Sequence, residues 1–287
     1  MHFRVFYLYI LISLIFIGAY IYIHIYVYGD ISDPNLHVSF LDVGQGDSIY
    51  IRTPSNNRIL IDTGPGSILL RQLGETENFF RRKVDLLILT HEDLDHSGGA
   101  LIFLDRFDVS YVNGLASIDK PIISAFNQKI SEQKIGSLNL KQGDRIIIDN
   151  QKNIYLDVLF PNFDVADDSG NDRSIVLKLI YGDTSFLLTG DISQKIEKYL
   201  VATYGDNLRS DVLKVAHHGS KNSSSEIFLE KVAARIFVIQ VGEENSFGHP
   251  SGEVIDRLKK FSEKILQTRN QKTIILKSDG KNIFIEK

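Results

Sequence analysis

The stretch "THEDLDHSGGA", residues 90–100, sets His91, Asp93, Asp95 and His96 within six positions. It follows "VDLLIL", residues 84–89, a continuous apolar run with the mark of a strand buried on both faces. Carboxylates beside a buried strand are costly unless they are paired or hold a cation. A divalent cation supplies a reason for the cluster, and imidazole nitrogen with carboxylate oxygen suits zinc, manganese or iron. His91 and Asp93 alternate with Glu92 and Leu94, so an extended or looped backbone sends both to one ion. Asp95 and His96 follow at the turn into a helix and face a second.

Further polar groups stand just past apolar runs: Asp62 in "LIDTG", Asp191 in "LLTGD", and His217 and His218 in "VAHHGS". His249 in "FGHPS" is a fifth, less tied to a strand. Each alone is ordinary turn or cap chemistry. Together they suggest a sheet scaffold presenting one site at its strand ends. Asp191, arriving from another strand, would bridge two ions, and metals about 3.5–4 Å apart clamp an in-line displacement.

The surrounding pattern is strand-rich, then alternating. "LHVSFLDV", "SIYIRT" and "RILIDTG" read as strands around "GQGD" and "SNN" turns. Residues 66–82 read as a helix with Leu69, Leu70, Leu73 and Phe80 on one face. "SGGALIFLDRF" reads as a helix capped by Ser97, "VSYVNG" as a strand, and residues 121–133 as a helix. "DRIIID" pairs with "NIYLDVLFP", and residues 162–174 form a polar loop. "SIVLKLIYGDTSFLLTGD" is two strands around a turn, followed by a helix over 192–204. The strand "SDVLKV", a capped helix in "NSSSEIFLEKV", the strand "ARIFVIQVG" and a helix over 250–269 come next. A hairpin with "DG" at its turn closes the chain. Two mixed sheets face to face, with helices outside, would bury all of this.

The chain has 287 residues, a formal charge of -4 and no cysteine. Disulfides and cysteine-ligated zinc are therefore excluded, and no global basic character advertises nucleic-acid binding. Residues 5–28 hold no Asp, Glu, Lys or Arg, and about 20 apolar residues span a bilayer as a helix. The apolar core exceeds the ~7–15 residues of a signal peptide and lacks a small-x-small cleavage site, which predicts an uncleaved anchor. Arg4 precedes the span while Asp30 and Asp33 follow it, which predicts a cytoplasmic N-terminus and the main domain outside. The expected organisation is an anchor and linker over 1–33 and one large domain over 34–287.

"HEDLDH", preceded by "DTG" and followed by "TGD" and a late histidine, resembles the metallo-β-lactamase superfamily motif H-x-[HD]-x-D-H. "SFLDVGQGDSI", "LLILTHEDLDHSGG", "LKVAHHGSKNSSS" and "GHPSGEVIDRL" are similar to the extracellular domain of ComEC-type DNA-uptake proteins. The resemblance implies an α/β fold, a four-layer αββα sandwich, here preceded by one N-terminal transmembrane helix in a bacterial cell membrane. It implies that residues 34–287 are a hydrolase domain with two divalent metal ions, zinc or manganese. His91, Asp93, Asp95 and His96 match the first-motif ligands, Asp191 the bridging aspartate, and one of His217 and His218 the last ligand. Asp62 matches an aspartate that orients ligands; Asp47 in "GQGD" belongs to the motif without an assigned role. Asp95 would position the attacking group, and His249 would contact phosphate or protonate the leaving group.

Two departures stand out. Asp93 occupies a position where many members have histidine, which hardens the first site towards manganese. The histidine usually preceding the "SIVL"-like strand is absent; Asn171 stands nearest, with Asp167, Asp168 and Asp172 around it. One firmly held metal is therefore expected beside a weaker one. The implied activity is phosphodiester hydrolysis, foremost of DNA, with Lys214, Lys221 and Arg173 meeting the phosphate backbone. Other phosphodiesters such as phosphorylcholine or cell-wall polymers, and small esters or lactones, fit the same scaffold; a catalytically silent envelope-binding module is the reading of another class. The expected partners are the bilayer, through residues 5–28, and a separate multi-span channel, because one span makes no pore.

Overall fold

The computed structural model describes residues 2–28, 33–77, 82–113, 121–162, 170–262 and 264–286. The helix His2–Tyr28 comes first. Its segment Val5–Tyr22 is long and apolar enough to cross a membrane and is not buried against the rest of the chain.

Fifteen strands follow among the described residues: β1 Leu36–Phe40, β2 Ile49–Arg52, β3 Arg58–Ile61, β4 Lys83–Ile88, β5 Asp108–Asn113, β6 Gly136–Leu138, β7 Arg145–Asp149, β8 Ile154–Phe160, β9 Val176–Tyr181, β10 Thr184–Leu188, β11 Val212–Lys214, β12 Ile236–Ile239, β13 Ile265–Gln267, β14 Ile274–Ser278 and β15 Ile283–Ile285. One sheet has the order β15-β14-β1-β2-β3-β4-β5-β6, the other β13-β12-β11-β10-β9-β8-β7. Strands β3 to β6 run parallel, as do β10 to β13.

Side chains alternate across a strand, and here both faces are covered. Ile59, Ile61, Leu86, Ile88, Phe186, Leu188 and Val238 fill the space between the sheets. Leu60, Leu87 and Leu89 point outward into a second core with Phe103 and Phe126 of the helices. Leu187, Phe237 and Ile239 point the other way, into a third core with Ile196, Phe228 and Val254. Helices thus cover both sheets, giving the expected αββα layering. Each fully buried Leu or Phe contributes about 1.5–3 kcal/mol of burial, which explains the unbroken apolar runs. The parallel strands β3, β4, β10, β11 and β12 end at one edge, just before Asp62, His91, Asp191, His217 and Gln240.

Three elements depart from the reading of the sequence. The helix over 66–82 is Ile68–Thr76, with Phe80 outside the described residues. The helix expected from Ser97 is split into Leu94–Ser97 and Ala100–Leu104. A Cβ on Gly98 would meet the Leu94 and Pro65 carbonyl oxygens at 2.5 and 2.6 Å, and one on Gly99 the Thr63 oxygen at 2.5 Å. The glycine pair lets this turn press against residues 63–66. Ser97 does not cap a helix; its hydroxyl donates to the carbonyls of Glu92 and Asp93 at 3.1 Å. The helix expected over 250–269 ends at Lys259. Residues Ile265–Gln267 pair in parallel with β12 instead, sheet pairing overriding the helical pattern. The hairpins, the helix Pro121–Gln133 and the helix Gln194–Tyr204, capped by Ser193, match.

Candidate metal centre

Asp95, His96, Asp191 and His218 bring one ligand atom each to within 4.8 Å of one another, and Asp47, Asp62 and His96 form an adjoining buried trio. The first quartet joins the turn after β4 to the loops after β10 and β11. His96 Nε2 lies 3.2 Å from Asp191 Oδ2, and His218 Nε2 lies 3.3 Å from the same oxygen and 3.2 Å from Asp95 Oδ2.

Each imidazole is anchored through its other nitrogen. His96 Nδ1 is 2.8 Å from Asp62 Oδ2. Asp62 is held in turn by the Thr90 amide and hydroxyl, both at 2.7 Å. His218 Nδ1 donates to the Gln240 carbonyl at 2.8 Å. His91 Nδ1 meets the hydroxyls of Thr90 and Ser174 at 3.1 and 3.3 Å. Such anchoring fixes the tautomer and leaves Nε2 as the lone-pair donor. The buried Nε2 of His91 has no hydrogen-bond partner, and that of His96 faces only the Asp191 carboxylate, at 3.2 Å and without hydrogen-bond geometry. Orphaned, converging nitrogens beside carboxylates fit a divalent cation of the zinc or manganese kind.

The electrostatics of the protein alone agree. Burial opposes charging His218, but Asp191 and Asp47 override it and raise its pKa to about 10. His96 is likewise held well above the ordinary value, against its burial, by Asp191, Asp62 and Asp47. Burial, with His96 beside it, lowers His91 to about 3. Burial opposes ionising Asp95, yet the His218 hydrogen bond and nearby imidazoles bring it to about 2. The cluster therefore demands positive charge, which protons or a cation can supply.

Lys214 corrects one expectation. It is not a phosphate contact: it is 0% exposed. Its ammonium lies against Asp47, 2.9 Å from the Gly190 carbonyl and 3.4 Å from Asp191 Oδ1. That arrangement gives Asp47 a role and leaves Asp191 Oδ2 as the oxygen facing the histidines. Lysine inside the apolar run "DVLKVA" was the available signal, because lysine is almost never fully buried unless paired.

The two neighbouring histidines diverge. Both hold a left-handed backbone, with φ of +51° and +52°, a state that costs on the order of 1–3 kcal/mol and needs support from its surroundings. Here the Ser220 amide donates to the His217 carbonyl at 2.8 Å and the Ser223 hydroxyl to the Ala216 and Ser220 carbonyls at 3.0 Å, while behind them the buried Glu197 carboxylate accepts the Ser224 and Ser225 amides. His218 turns into the cluster. His217 is partly exposed, with Nε2 4.0 Å from Asp191.

A cleft of about 770 Å³ opens over the cluster, lined among others by Asp93, Asp95, Asn171, Asp191 and His217. Asp93 Oδ2 lies 3.7 Å from His91 Nε2, and neither residue belongs to the two groups of converging ligand atoms found among the described residues. His249 packs its ring against His217, centroids 5.6 Å apart. Asp172 is occupied by the Ser193 amide, while Asp167 and Asp168 lie outside the described residues. Lys221 is exposed and Arg173 half-buried, and neither lines this cleft. The hydroxyl anchors, Gln240 and Glu197 escaped the sequence reading, because nothing local marks a serine, glutamine or glutamate as a support for a distant loop.

The family described as Metallo-beta-lactamase superfamily matches residues 41–242. The chain is 32% identical over 256 residues to ComE operon protein 3 of Bacillus subtilis (strain 168), covering 83% of this chain and 32% of that protein. It is 32% identical over 239 residues to Competence protein ComA of Neisseria gonorrhoeae, covering 80% and 30%. The chain thus spans about a third of the length of these relatives. The metallo-beta-lactamase fold protein YhfI of Bacillus subtilis aligns with a TM-score of 0.56 at 11% identity, covering 85% of this chain and 100% of that one. At that identity the likeness speaks to fold alone.

Proposed function

The chain belongs to the metallo-β-lactamase superfamily, and from that premise we propose that it is a membrane-anchored, metal-dependent phosphodiesterase acting on DNA. Fold alone does not fix chemistry. The observation that carries the reading is the convergence of Asp95, His96, Asp191 and His218 on one point beneath an open cleft. The names of the competence relatives and the resemblance to ComEC-type DNA-uptake domains support DNA as the substrate.

The quartet would hold the firmly bound ion, zinc or manganese, and His91 with Asp93 and Asn171 a weaker second. A bound divalent ion supplies Lewis acidity and a nucleophile from water near neutral pH. The protein's own groups do the rest. Asp95 and Asp191 are ionised and fixed, so they orient whatever approaches the ion. His217 and His249 are pushed below the ordinary imidazole value, first by burial. Both are therefore neutral near pH 7, suited to take a proton from water or relay one to the leaving oxygen. The helix His2–Tyr28 would anchor the domain on the extracytoplasmic face, beside a multi-span channel.

One observation weighs against a grip on the phosphate backbone and leaves a small phosphodiester, or a strand held by its bases, as the fitting substrates. Among the described residues lining the cleft there is no Lys or Arg, whereas Glu92, Asp93, Asp95 and Asp191 are there. A salt titration tests for such a grip, because polynucleotide binding by basic groups weakens steeply with ionic strength. The deciding test is digestion of single- and double-stranded oligonucleotides by the full chain in detergent with Mn²⁺ or Zn²⁺. Cleavage that disappears in Asp191→Ala and His91→Ala is expected; cleavage unchanged in both contradicts the site.

A further inference from the structure

We propose that Phe247 is a stacking platform for a nucleobase next to the scissile phosphodiester, so that the substrate is single-stranded nucleic acid. This rests on the phosphodiesterase reading and narrows it. Large apolar side chains are normally withdrawn from water, and an exposed apolar patch beside a site marks an interaction surface. Here Phe247 is 67% exposed and Leu94 62% exposed, and both line the cleft over the cation cluster.

Phe247 is not a loose tip. Its ring lies nearly parallel to that of His249, centroids 5.7 Å apart and planes at 22°. His249 packs edge-on against His217 at 77°. An aromatic series therefore runs from solvent to Asp191. The loop is pinned from within: Asn245 accepts the His249 amide at 2.9 Å and donates to the His249 carbonyl at 2.8 Å. His249 lies offset beside one face of Phe247, and Phe247, a lining residue of the cleft, is two-thirds exposed.

Charge decides what the open side receives. The described lining residues of the cleft include carboxylates and no Lys or Arg, so among them a strand is gripped by its bases rather than by its phosphates. A neutral, planar group gains a stacking surface, with Leu94, Pro121 and Ile122 as further apolar wall. Bases stack on aromatic side chains without regard to sequence. In a duplex those faces are already stacked on their neighbours, which selects single strands.

The test compares three DNA substrates with the full chain in detergent and Mn²⁺: a short single-stranded oligonucleotide, a strand of the same length made of tetrahydrofuran abasic residues throughout, and the duplex. We expect kcat/KM to fall about tenfold for the abasic strand, a change of roughly 1.4 kcal/mol. Phe247→Ala should produce the same fall on the intact strand and little further fall on the abasic one. Phe247→Trp should restore the preference. Equal cleavage of intact and abasic strands by the unsubstituted protein overturns the platform while leaving the phosphodiesterase reading standing, as does a preference untouched by Phe247→Ala. No cleavage of any substrate, by protein that still holds its cation, overturns the phosphodiesterase reading and the platform with it.

Discussion

The ammonium of Lys214 rests against the carboxylate of Asp47 with neither side chain more than 1% exposed. The pair sits directly behind Asp191, whose Oδ1 is 3.4 Å from the same ammonium. Lys214 thus acts as an internal cation that neutralises the inner side of the cluster and leaves its outer side negative. Removing one partner of a buried pair strands the other, at about 3–5 kcal/mol. Lys214→Met should therefore lower unfolding stability by that order in chemical denaturation of the cation-free chain. Adding Asp47→Asn should recover part of the loss. An unchanged midpoint in Lys214→Met contradicts this arrangement.

Asp62 touches no substrate in this account; it holds His96 through a 2.8 Å contact. Groups that orient metal-bound histidines typically control affinity by 10–100-fold. Asp62→Asn should weaken Mn²⁺ or Zn²⁺ binding by about that factor in competition calorimetry with a chelator. Affinity equal to that of the unsubstituted chain removes Asp62 from this role.

The two adjacent histidines should separate cleanly. His218→Ala loses a ligand atom and should abolish tight cation binding. His217→Ala should keep the cation and instead alter the pH profile of turnover, since His217 faces the cleft 4.0 Å from Asp191. Elemental analysis alongside a pH–rate profile distinguishes them, and a reversed pattern contradicts the geometry.

The protonation pattern makes a prediction of its own. His96 and His218 are held above their ordinary value of 6.5, His218 to about 10, so both carry protons at pH 7 in the cation-free chain. Cation binding needs their lone pairs and must release on the order of one to two protons. Calorimetry in buffers of different ionisation enthalpy counts them, and zero release counts against the pattern. The stability effect has a definite sign. A folded pKa above the unfolded one stabilises fully below about 6.5 and is lost as pH rises through about 10. The chelated protein should therefore lose melting temperature between pH 7 and 10.

The contiguous cluster His91–His96 was readable because its ligands are neighbours in sequence and its strand announces itself by composition. The αββα layering was readable because both faces of the inner strands are apolar. Other features depend on contacts from afar. The helix after His96 breaks at Gly98–Gly99 because residues 63–66 press against it. Residues 265–267 form an edge strand because β12 offers free backbone groups, not because their own pattern demands it. Lys214 reads as a solvent-facing phosphate contact until Asp47, far away in sequence, is folded against it. The choice between His217 and His218 turns on two left-handed backbone angles that no spacing reveals.

The central claim is that Asp95, His96, Asp191 and His218 hold a divalent cation that the chemistry needs. The most direct measurement is the cation content of the purified full chain after dialysis against Mn²⁺ or Zn²⁺, compared with that of Asp191→Ala. The account predicts close to one tightly held ion per chain, lost in Asp191→Ala while the fold is retained by circular dichroism. Equal cation content in the two proteins, or none in either, would contradict it.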